Sequence, residues 1–269
     1  MVLINGSSEH CLDVTDRGLQ YGDGLFETIA VHQGQPVYLQ EHLQRLQRGC
    51  ERLLIPCPAL DLLRNEAVQL SQHTQQAVLK IIVTRGSGGR GYRQPDSIAA
   101  TRILSLHPYP DYPAHFKQQG ITARFCQTRL GLNPSLAGIK HLNRLEQVLA
   151  RAEWQDATIQ EGLMLDALDR IIEGTMSNLF FIKDQAIVTS PLTHSGVAGI
   201  LREKIMQIAE RDNIPLKQHY FKQDALLAAD EVFVTNSIIG IWPVKQIQQT
   251  LFPVGAMTQK IMVSLEQFI

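Results

Sequence analysis

Lys140 is a candidate for chemistry because the residues around it fix its place in the chain. It follows a stretch that is unfavourable for helix, residues 131–138, with Pro134 inside it. It precedes a helix for which Asn143 is the predicted N-cap. Most lysines are solvated surface charges, and periodicity alone does not distinguish Lys140 from them. Further functional groups are therefore needed before this amine can be given a role.

Two other segments carry complementary groups. Residues 173–178 place the carboxylate of Glu173 at the end of a predicted strand, followed by small hydroxyl and amide residues. This arrangement suits a hydrogen-bonded ligand site, although a simple polar turn fits nearly as well. Residues 196–202 form a glycine-flanked helix start, whose N–H groups and positive dipole end suit a phosphate. A lysine, a carboxylate and a phosphate-binding helix start are together the parts that hold pyridoxal phosphate.

Other motifs point to weaker alternatives. Residues 86–91 match G-x-G-x-x-G after a predicted strand, but Pro95 prevents the long helix that a dinucleotide site needs. A flexible loop between two strands, carrying Arg90 and Tyr92 over a pocket, is the preferred interpretation. The sequence has no GK[ST] continuation, no G-x-S-x-G elbow and no H-E-x-x-H motif, which removes P-loop, α/β-hydrolase and zincin chemistry.

Composition narrows the class of protein further. The four cysteines lack CxxC pairing and the histidines are scattered, so no metal site is predicted. Lys and Arg number 25 against 26 Asp and Glu, which gives no basic field for nucleic acid. No apolar run approaches the roughly 18 residues of a membrane span, so we expect a cytoplasmic protein that does not bind membranes.

The elements that must position these residues alternate between strands and helices. This pattern predicts a mixed α/β (α+β) fold with a smaller N-terminal domain at 1–107, a proline-rich linker at 108–118 and a larger C-terminal domain at 119–269 that carries Lys140. The predicted helices are 39–53, 60–72, 144–154, 199–212 and 257–268. The predicted strands are 2–4, 25–32, 36–39, 77–84, 102–106, 121–127, 162–166, 170–173, 179–183, 186–189 and 231–235.

At these residues the sequence resembles the fold-type IV pyridoxal-phosphate enzymes, the D-amino acid and branched-chain aminotransferase-like family. The resemblance runs from residues 16–28 through 42–46 to 234–237. Within that family it is most similar to the aminodeoxychorismate lyases, on the glycine-rich loop 85–92 and the segment 138–146. Members that transaminate branched-chain or D-amino acids carry a different loop and a different context around the lysine.

The resemblance implies a role for each candidate residue. Lys140 is implied as the Schiff-base lysine and Glu173 as the partner of the pyridine nitrogen. Thr28 is implied as a proton donor to the leaving group, although packing in its strand is the simpler alternative. The remaining cofactor-binding residues are implied to be Arg45, Ser237 and the backbone of Ile200 and Leu201 at the phosphate, and Asn178 in the pocket.

The implied reaction converts 4-amino-4-deoxychorismate into 4-aminobenzoate and pyruvate. It needs pyridoxal 5′-phosphate, removal of a proton at the amine-bearing carbon and elimination of enolpyruvate. The two substrate carboxylates need cations, for which Arg90 is the first choice, with Tyr92 and Tyr109 beside it. The resemblance also implies a homodimer. An aminotransferase of the same fold, acting on D- or branched-chain amino acids, is the alternative.

Overall fold

The structure, a computed structural model, describes residues 1–8 and 11–267. Its contacts divide the chain into two compact units. Unit 1 consists of Met1–Pro110 together with Ile139–Asn143, and unit 2 of Asp111–Gly138 and Arg144–Ile269. None of the described helices is long and apolar enough to cross a membrane.

Unit 1 is an antiparallel sheet with helices packed against it. The sheet has the strand order β1-β5-β4-β2-β3. The strands are β1 (Val2–Ile4), β2 (Gly24–His32), β3 (Gln35–Pro36), β4 (Gln76–Thr84) and β5 (Thr101–Pro108). The helices are α1 (Arg17–Tyr21), α2 (Leu39–Leu53) and α3 (Leu60–Ser71). Helix α2 packs against β2, and α3 packs against β3, β4 and β5.

The two faces of β2 have different surroundings because side chains alternate along a strand. Glu27 and Ile29 are buried on the face that also receives apolar residues of α2, such as Leu43. Phe26 and Thr28 are half-buried and point to the other face. Unit 1 therefore has two places where polar side chains of β2 could form a site: the buried face covered by α2, and the face that carries Phe26 and Thr28.

The described residues of unit 2 form a mixed sheet of nine strands and five helices. Its strand order is β11-β10-β9-β12-β13-β6-β7-β8, with β14 paired to β13. The strands are β6 (Ile121–Leu130), β7 (Glu161–Asp166), β8 (Ile171–Gly174), β9 (Asn178–Lys183), β10 (Ala186–Thr189), β11 (Leu216–Gln218), β12 (Glu231–Asn236), β13 (Gly240–Ile247) and β14 (Thr250–Leu251). The helices are α4 (His115–Gln119), α5 (Leu145–Arg151), α6 (Ile200–Arg211), α7 (Gln223–Leu227) and α8 (Ala256–Glu266).

This sheet closes on itself, because β8 pairs with both β7 and β9. The closure encloses a core of apolar side chains from several strands, among them Ile121, Leu163, Leu179 and Trp242. The register of the closing pair sets Glu173 opposite Asn178. Both are candidate site residues, so the pairing that completes the sheet also positions part of the site.

Most of the predicted elements are confirmed to within a few residues at their ends. The absence of a helix after the glycine-rich loop is confirmed, since residues 85–100 contain none. The prediction that Asn143 caps the following helix is wrong. The N-cap of α5 is Arg144, and the side-chain amide of Asn143 donates instead to the carbonyl of Gly22 at 2.9 Å. The predicted strand 36–39 is shorter in the structure, since α2 begins at Leu39.

Several elements were not predicted, namely α1, α4, α7, β11, β13 and β14. The last helix ends at Glu266, and residue 268 of the predicted helix lies outside the described residues. Pro108 of the predicted linker is the last residue of β5. Lys140 groups by its contacts with unit 1, whereas the sequence placed it in the C-terminal domain. The domain boundaries themselves stay a prediction, because units defined by contacts need not be separate folding domains.

Candidate active site

The backbone of the segment that contains Lys140 is hydrogen-bonded to β2. The N–H of Phe26 donates to the carbonyl of Lys140 at 3.0 Å, and the N–H of Leu142 donates to the carbonyl of Gly24 at 2.9 Å. The segment Ile139–Asn143 therefore lies alongside the start of β2. These two hydrogen bonds fix the segment relative to β2, so the side chain of Lys140 starts from a fixed position beside this strand.

The side chain of Lys140 lies over an aromatic ring. Its Nζ is 4.4 Å from the ring centroid of Phe26, and the residue is half-buried. Thr28 lies two residues beyond Phe26 on the same face of β2. The structure thus places Lys140 beside the ring that shares its face with Thr28.

The opposite face of β2 holds a buried ionic cluster. Arg45 of α2 donates from Nε to Glu27 at 2.8 Å and also from Nη2 to the other carboxylate oxygen. His42, one turn earlier on α2, places Nδ1 2.6 Å from Glu27. Burial raises the pKa of Glu27, but Arg45 and His42 outweigh this effect and lower the pKa to about 2. The carboxylate is therefore ionised and holds the Arg45 guanidinium in a fixed orientation.

His42 is the neutral member of this cluster. Burial lowers its pKa, although Glu27 acts in the opposite direction. Since the ionised Glu27 can only accept, Nδ1 carries the hydrogen, and the buried Nε2 has no hydrogen-bond partner among the described residues. A second proton would add charge beside the Arg45 guanidinium, which agrees with the lowered pKa.

Glu173 and Asn178 bind the same loop of unit 2. Glu173 is buried, and its carboxylate accepts a hydrogen bond from the N–H of Val197 at 2.8 Å. Asn178 donates to the carbonyl of Val197 at 2.8 Å and accepts from the N–H of Gly199 at 3.1 Å. Val197 also forms a β-bridge with Gly138, two residues before Lys140 in the chain.

The loop leads directly into α6. A Cβ atom on Gly199, the N-cap, would lie 2.1 Å from Oδ1 of Asn178, so this position requires glycine. Ile200 and Leu201 form the first turn of the helix, and N–H groups there have no acceptor within the helix. The predicted phosphate-binding backbone therefore lies next to the loop that Glu173 and Asn178 hold.

Two arginines add positive charge around Glu173. Burial lowers the pKa of Arg144 and of Arg202, while the negative charge of Glu173 raises both. Arg202 is held by the carbonyl of Ser190 at 3.1 Å and by Gln218 at 2.8 Å. The carboxylate of Glu173 therefore favours the charged form of both guanidinium groups.

A second buried carboxylate, Glu161 of β7, organises the turn between Glu173 and Asn178. It accepts hydrogen bonds from the hydroxyls of Thr175 and Ser177, both at 2.6 Å. The N–H groups of Thr175 and Gly162 donate to it as well, at 3.0 and 2.9 Å. Burial raises the pKa of Glu161, and these four donors act in the opposite direction.

Ser237 lies in the turn after β12. The side chain of Asn236 shapes this turn by accepting from the N–H groups of Ile238 and Ile239, at 2.8 and 2.9 Å. The same side chain donates to the carbonyl of Met176 at 3.0 Å. Asn236 thereby links the turn of Ser237 to the turn that Glu161 organises.

The three residues predicted to bind substrate lie elsewhere in unit 1. Arg90 and Tyr92 are exposed on the glycine-rich loop, and the Tyr92 ring packs against Tyr21 with centroids 5.6 Å apart. Tyr109 is half-buried beside His32, at a centroid distance of 5.6 Å. Their roles stay predictions.

The predicted residues thus fall into two groups. Unit 1 holds Thr28, Arg45, Arg90, Tyr92, Tyr109 and Lys140, and unit 2 holds Glu173, Asn178, Ile200, Leu201 and Ser237.

Sequence reasoning missed Glu27, His42 and Glu161. Glu27 had a detectable signal, because it is a charged residue at a core position of an alternating strand. Glu161 had no such signal, because every residue of β7 is buried and the strand therefore shows no alternation of buried and exposed positions.

Comparison with known proteins identifies relatives along nearly the whole chain. The family model described as amino-transferase class IV matches residues 24–247. An aminodeoxychorismate lyase from Vibrio harveyi is 35% identical over 265 residues, covering 97% of this chain and 98% of the relative.

Solved structures agree with this result. The 4-amino-4-deoxychorismate lyase from Pseudomonas aeruginosa is 46% identical with a TM-score of 0.96, covering 99% of this chain and 98% of that one. A branched-chain amino acid aminotransferase from Escherichia coli is 26% identical with a TM-score of 0.90, covering 99% and 93%.

The contacts of Glu161 predict a large loss of stability on truncation. In Glu161→Ala the four donors lose their acceptor, so we expect the free energy of unfolding in urea to fall by about 3 kcal/mol or more. Glu161→Gln keeps one oxygen and the shape of the side chain and should lose less. Glu210→Ala, at an exposed position of α6, is the matched control. A loss below about 1 kcal/mol in Glu161→Ala would contradict this role.

The His42 cluster predicts that stability falls in acid. The unfolded His42 takes up a proton near its ordinary pKa of 6.5, whereas the folded ring resists it. Unfolding is therefore favoured as the pH falls below about 6.5, by up to about 1.4 kcal/mol per pH unit. Glu27 adds a further loss between its ordinary pKa of 4.5 and its folded value of about 2.

Melting temperatures from pH 7.5 to 5.5 measure the histidine contribution. The slope should be smaller in His42→Gln than in the wild type, and unchanged in His73→Gln, where the histidine is exposed. Identical slopes in all three proteins would remove His42 as the cause.

Proposed function

The chain belongs to the amino-transferase class IV family. We propose that it is a pyridoxal-phosphate-dependent lyase that converts 4-amino-4-deoxychorismate into 4-aminobenzoate and pyruvate. Its fold is that of the fold-type IV enzymes. The observation that carries the proposal is the placement of Lys140, whose backbone is attached to β2 and whose amine lies over Phe26 on the face of Thr28. An amine placed in this way is suited to bind an aldehyde and then to move a proton.

The residues fit pyridoxal phosphate. Lys140 would bind its aldehyde carbon, and the carboxylate of Glu173 would bind the pyridine nitrogen and favour its protonated form. The N–H groups of Ile200 and Leu201, the hydroxyl of Ser237 and the guanidinium of Arg45 are donors of the kind that a phosphate needs. When bound, the cofactor supplies an electron sink for the pair left by a broken C–H bond.

Lys140 and Thr28 would carry the proton transfers. The amine of Lys140 would remove the proton from the amine-bearing ring carbon of the substrate. The ether C–O bond then breaks, enolpyruvate leaves, and the ring becomes aromatic. The hydroxyl of Thr28 would give a proton to the departing oxygen, either directly or by holding a water molecule. Enolpyruvate becomes pyruvate by moving that proton to carbon.

An aminotransferase acting on D- or branched-chain amino acids is the second candidate. The similarity to the Escherichia coli branched-chain aminotransferase supports it, and such an enzyme would use the same lysine and glutamate. The two candidates differ in substrate, so the decisive assay offers aminodeoxychorismate in one arm and an amino acid with 2-oxoglutarate in the other. The lyase proposal requires release of 4-aminobenzoate in the first arm.

The proposed enzyme is a cytoplasmic homodimer that requires neither nucleic acid nor membrane. An apolar surface on α5 supports the dimer. Leu145, Val148 and Leu149 lie on one side of this helix and are 75, 60 and 61% exposed. A cluster of large apolar side chains in water is typical of a surface that another protein covers.

Replacing Lys140 tests the covalent role. Lys140→Ala should lose the visible absorption of the bound cofactor, and production of 4-aminobenzoate should fall about 1000-fold or more, because no other group can replace the amine. Lys217→Ala, an exposed lysine on β11, is the control and should behave as the wild type. Retained absorption and turnover in Lys140→Ala would refute the assignment.

Replacing Thr28 tests the proton donor. In Thr28→Val the branched shape remains but the hydroxyl is absent, so kcat for 4-aminobenzoate formation should fall about 100-fold while the cofactor absorption stays unchanged. Thr28→Ser keeps the hydroxyl and should keep most of the activity. If Thr28→Val has the kcat of the wild type, the residue serves packing alone.

A further inference from the structure

The glycine-rich loop is attached to the start of α1 where the loop leaves β4. The backbone of Asp16 forms a β-bridge with Ser87. The N–H of the next residue, Arg17, donates to the carbonyl of Gly86 at 2.9 Å. The fully buried side chain of Asp16 accepts a hydrogen bond at 2.8 Å from the hydroxyl of Thr84, the last residue of β4. The start of α1 therefore has a fixed position beside the loop.

The side chain of Arg17 holds the far end of the same loop. Its Nη1 donates to the carbonyl of Gly91 at 2.9 Å and to that of Arg93, just beyond the loop, at 3.4 Å. Arg17 is buried, so little water competes for these two carbonyls. A Cβ atom on Gly89, where φ is +78°, would lie 2.6 Å from the Arg93 carbonyl and 3.3 Å from Nη1 of Arg17. The loop thus closes around one guanidinium, and glycine at position 89 permits the close approach.

Two further contacts fix the guanidinium itself. Its Nε donates to Asp23 at 3.0 Å, and its central carbon lies 4.9 Å from the ring centroid of Tyr21. The Tyr21 ring also packs edge-on against Tyr92 of the loop. Asp23 has a second cation, Arg85, which donates to both carboxylate oxygens at 2.7 and 3.0 Å. The carboxylate therefore keeps a partner when Arg17 is replaced, which limits the loss of overall stability.

Arg90 lies between the two attachments of the loop. Ser87 is three residues before it and Gly91 directly follows it, whereas the Arg90 side chain is exposed. A backbone that is fixed on both sides restricts the positions that the Arg90 guanidinium can take. A binding group that is ordered before its ligand arrives loses less conformational entropy on binding.

The loop leaves the sheet at the end of β2 to which the Lys140 segment is bound. Thr84 pairs with Gly24, and the carbonyl of Gly24 accepts the hydrogen bond from Leu142. The loop and the lysine segment thus start from the same end of the sheet, within unit 1. A change in the loop can therefore affect a ligand held at Lys140.

We propose that Arg17 is a positioning residue for substrate binding, which fixes the glycine-rich loop so that Arg90 is presented to the substrate. This inference rests on the proposed function and on the predicted role of Arg90 at a substrate carboxylate. Arg17 takes no part in bond breaking. Its guanidinium acts through the loop, because its polar contacts are to Asp23 and to the loop carbonyls.

Steady-state kinetics of the cofactor-loaded enzyme test this role with two substitutions. Arg17→Gln removes the charge, and Arg17→Lys keeps the charge but lacks the guanidinium that spans Asp23 and the carbonyls. We expect KM for aminodeoxychorismate to rise about 10- to 100-fold in both variants, with a much smaller change in kcat and an unchanged cofactor absorption. Arg211→Gln, at an exposed arginine of α6 that pairs with Asp212, is the matched control and should behave as the wild type.

Limited digestion with trypsin, in the absence of substrate, reports on the loop directly. Trypsin needs a locally released backbone, so cleavage after Arg90 and Arg93 should be about 10-fold faster or more in Arg17→Gln than in the wild type. Cleavage elsewhere and the melting temperature should change little, because Asp23 keeps Arg85. Faster cleavage throughout the chain with a lower melting temperature would overturn the proposal, since Arg17 would then support the fold in general.

A double-mutant cycle tests whether Arg17 acts through Arg90. Arg90→Gln alone should raise KM, and adding Arg17→Gln should raise it little further, because the loop then has no cation to present. Independent effects that multiply in the double variant would overturn the proposal, and so would an unchanged KM in Arg17→Gln. If Arg17→Gln does not fold, as measured by circular dichroism, Arg17→Lys takes its place in the digestion and in the cycle, with the same expected results.

The failure of this proposal is distinguishable from failure of the proposed function. If the wild-type enzyme releases 4-aminobenzoate and the Arg17 variants keep the wild-type KM, the lyase assignment stands and the role of Arg17 is wrong. If the wild type releases none, the lyase assignment is wrong and the substrate role of Arg17 fails with it. The digestion still measures in that case whether Arg17 holds the loop.

Discussion

The hydrogen bond from the Phe26 N–H to the Lys140 carbonyl sets where the amine of Lys140 can lie. It attaches a short segment to β2, and the side chain of Lys140 then extends over the ring of the residue that donates the bond. Alternation along β2 gives the two faces separate tasks. Phe26 and Thr28 face the amine, whereas Glu27 faces α2 and holds Arg45. One strand thereby positions both a candidate proton donor and a candidate phosphate ligand.

In unit 2, the closure of the sheet positions the candidate residues Glu173 and Asn178. The pairing of Glu173 with Asn178 completes the strand ring, and both side chains then bind the loop that begins α6. Glu161 fixes the turn between Glu173 and Asn178, because each of its two carboxylate oxygens accepts a hydrogen bond from that turn. The position of the Glu173 carboxylate is therefore fixed by a backbone donor, as its proposed role beside the pyridine nitrogen needs.

The sequence predicted most of the helices and strands, because periodicity and turn residues act locally. It failed where partners are distant in the chain. Asn143 is a residue type that often caps helices, but its side-chain amide donates a hydrogen bond to the carbonyl of Gly22. Strand β13 was missed because of Pro243, which the sheet tolerates since pairing with β6 begins at the next residue, Val244. Lys80 sits in an apolar strand pattern, and only the register with β2 places it beside Thr28.

The covalent role of Lys140 is tested most directly by reducing the cofactor-loaded wild-type enzyme with borohydride and mapping the modified peptide by mass spectrometry. Reduction makes the bond between cofactor and lysine permanent, so the label records which amine held the aldehyde. The account predicts a phosphopyridoxyl group on the peptide that contains Lys140 and none on the peptide that contains Lys80. A label on Lys80 or on any other lysine, with Lys140 unmodified, would contradict it.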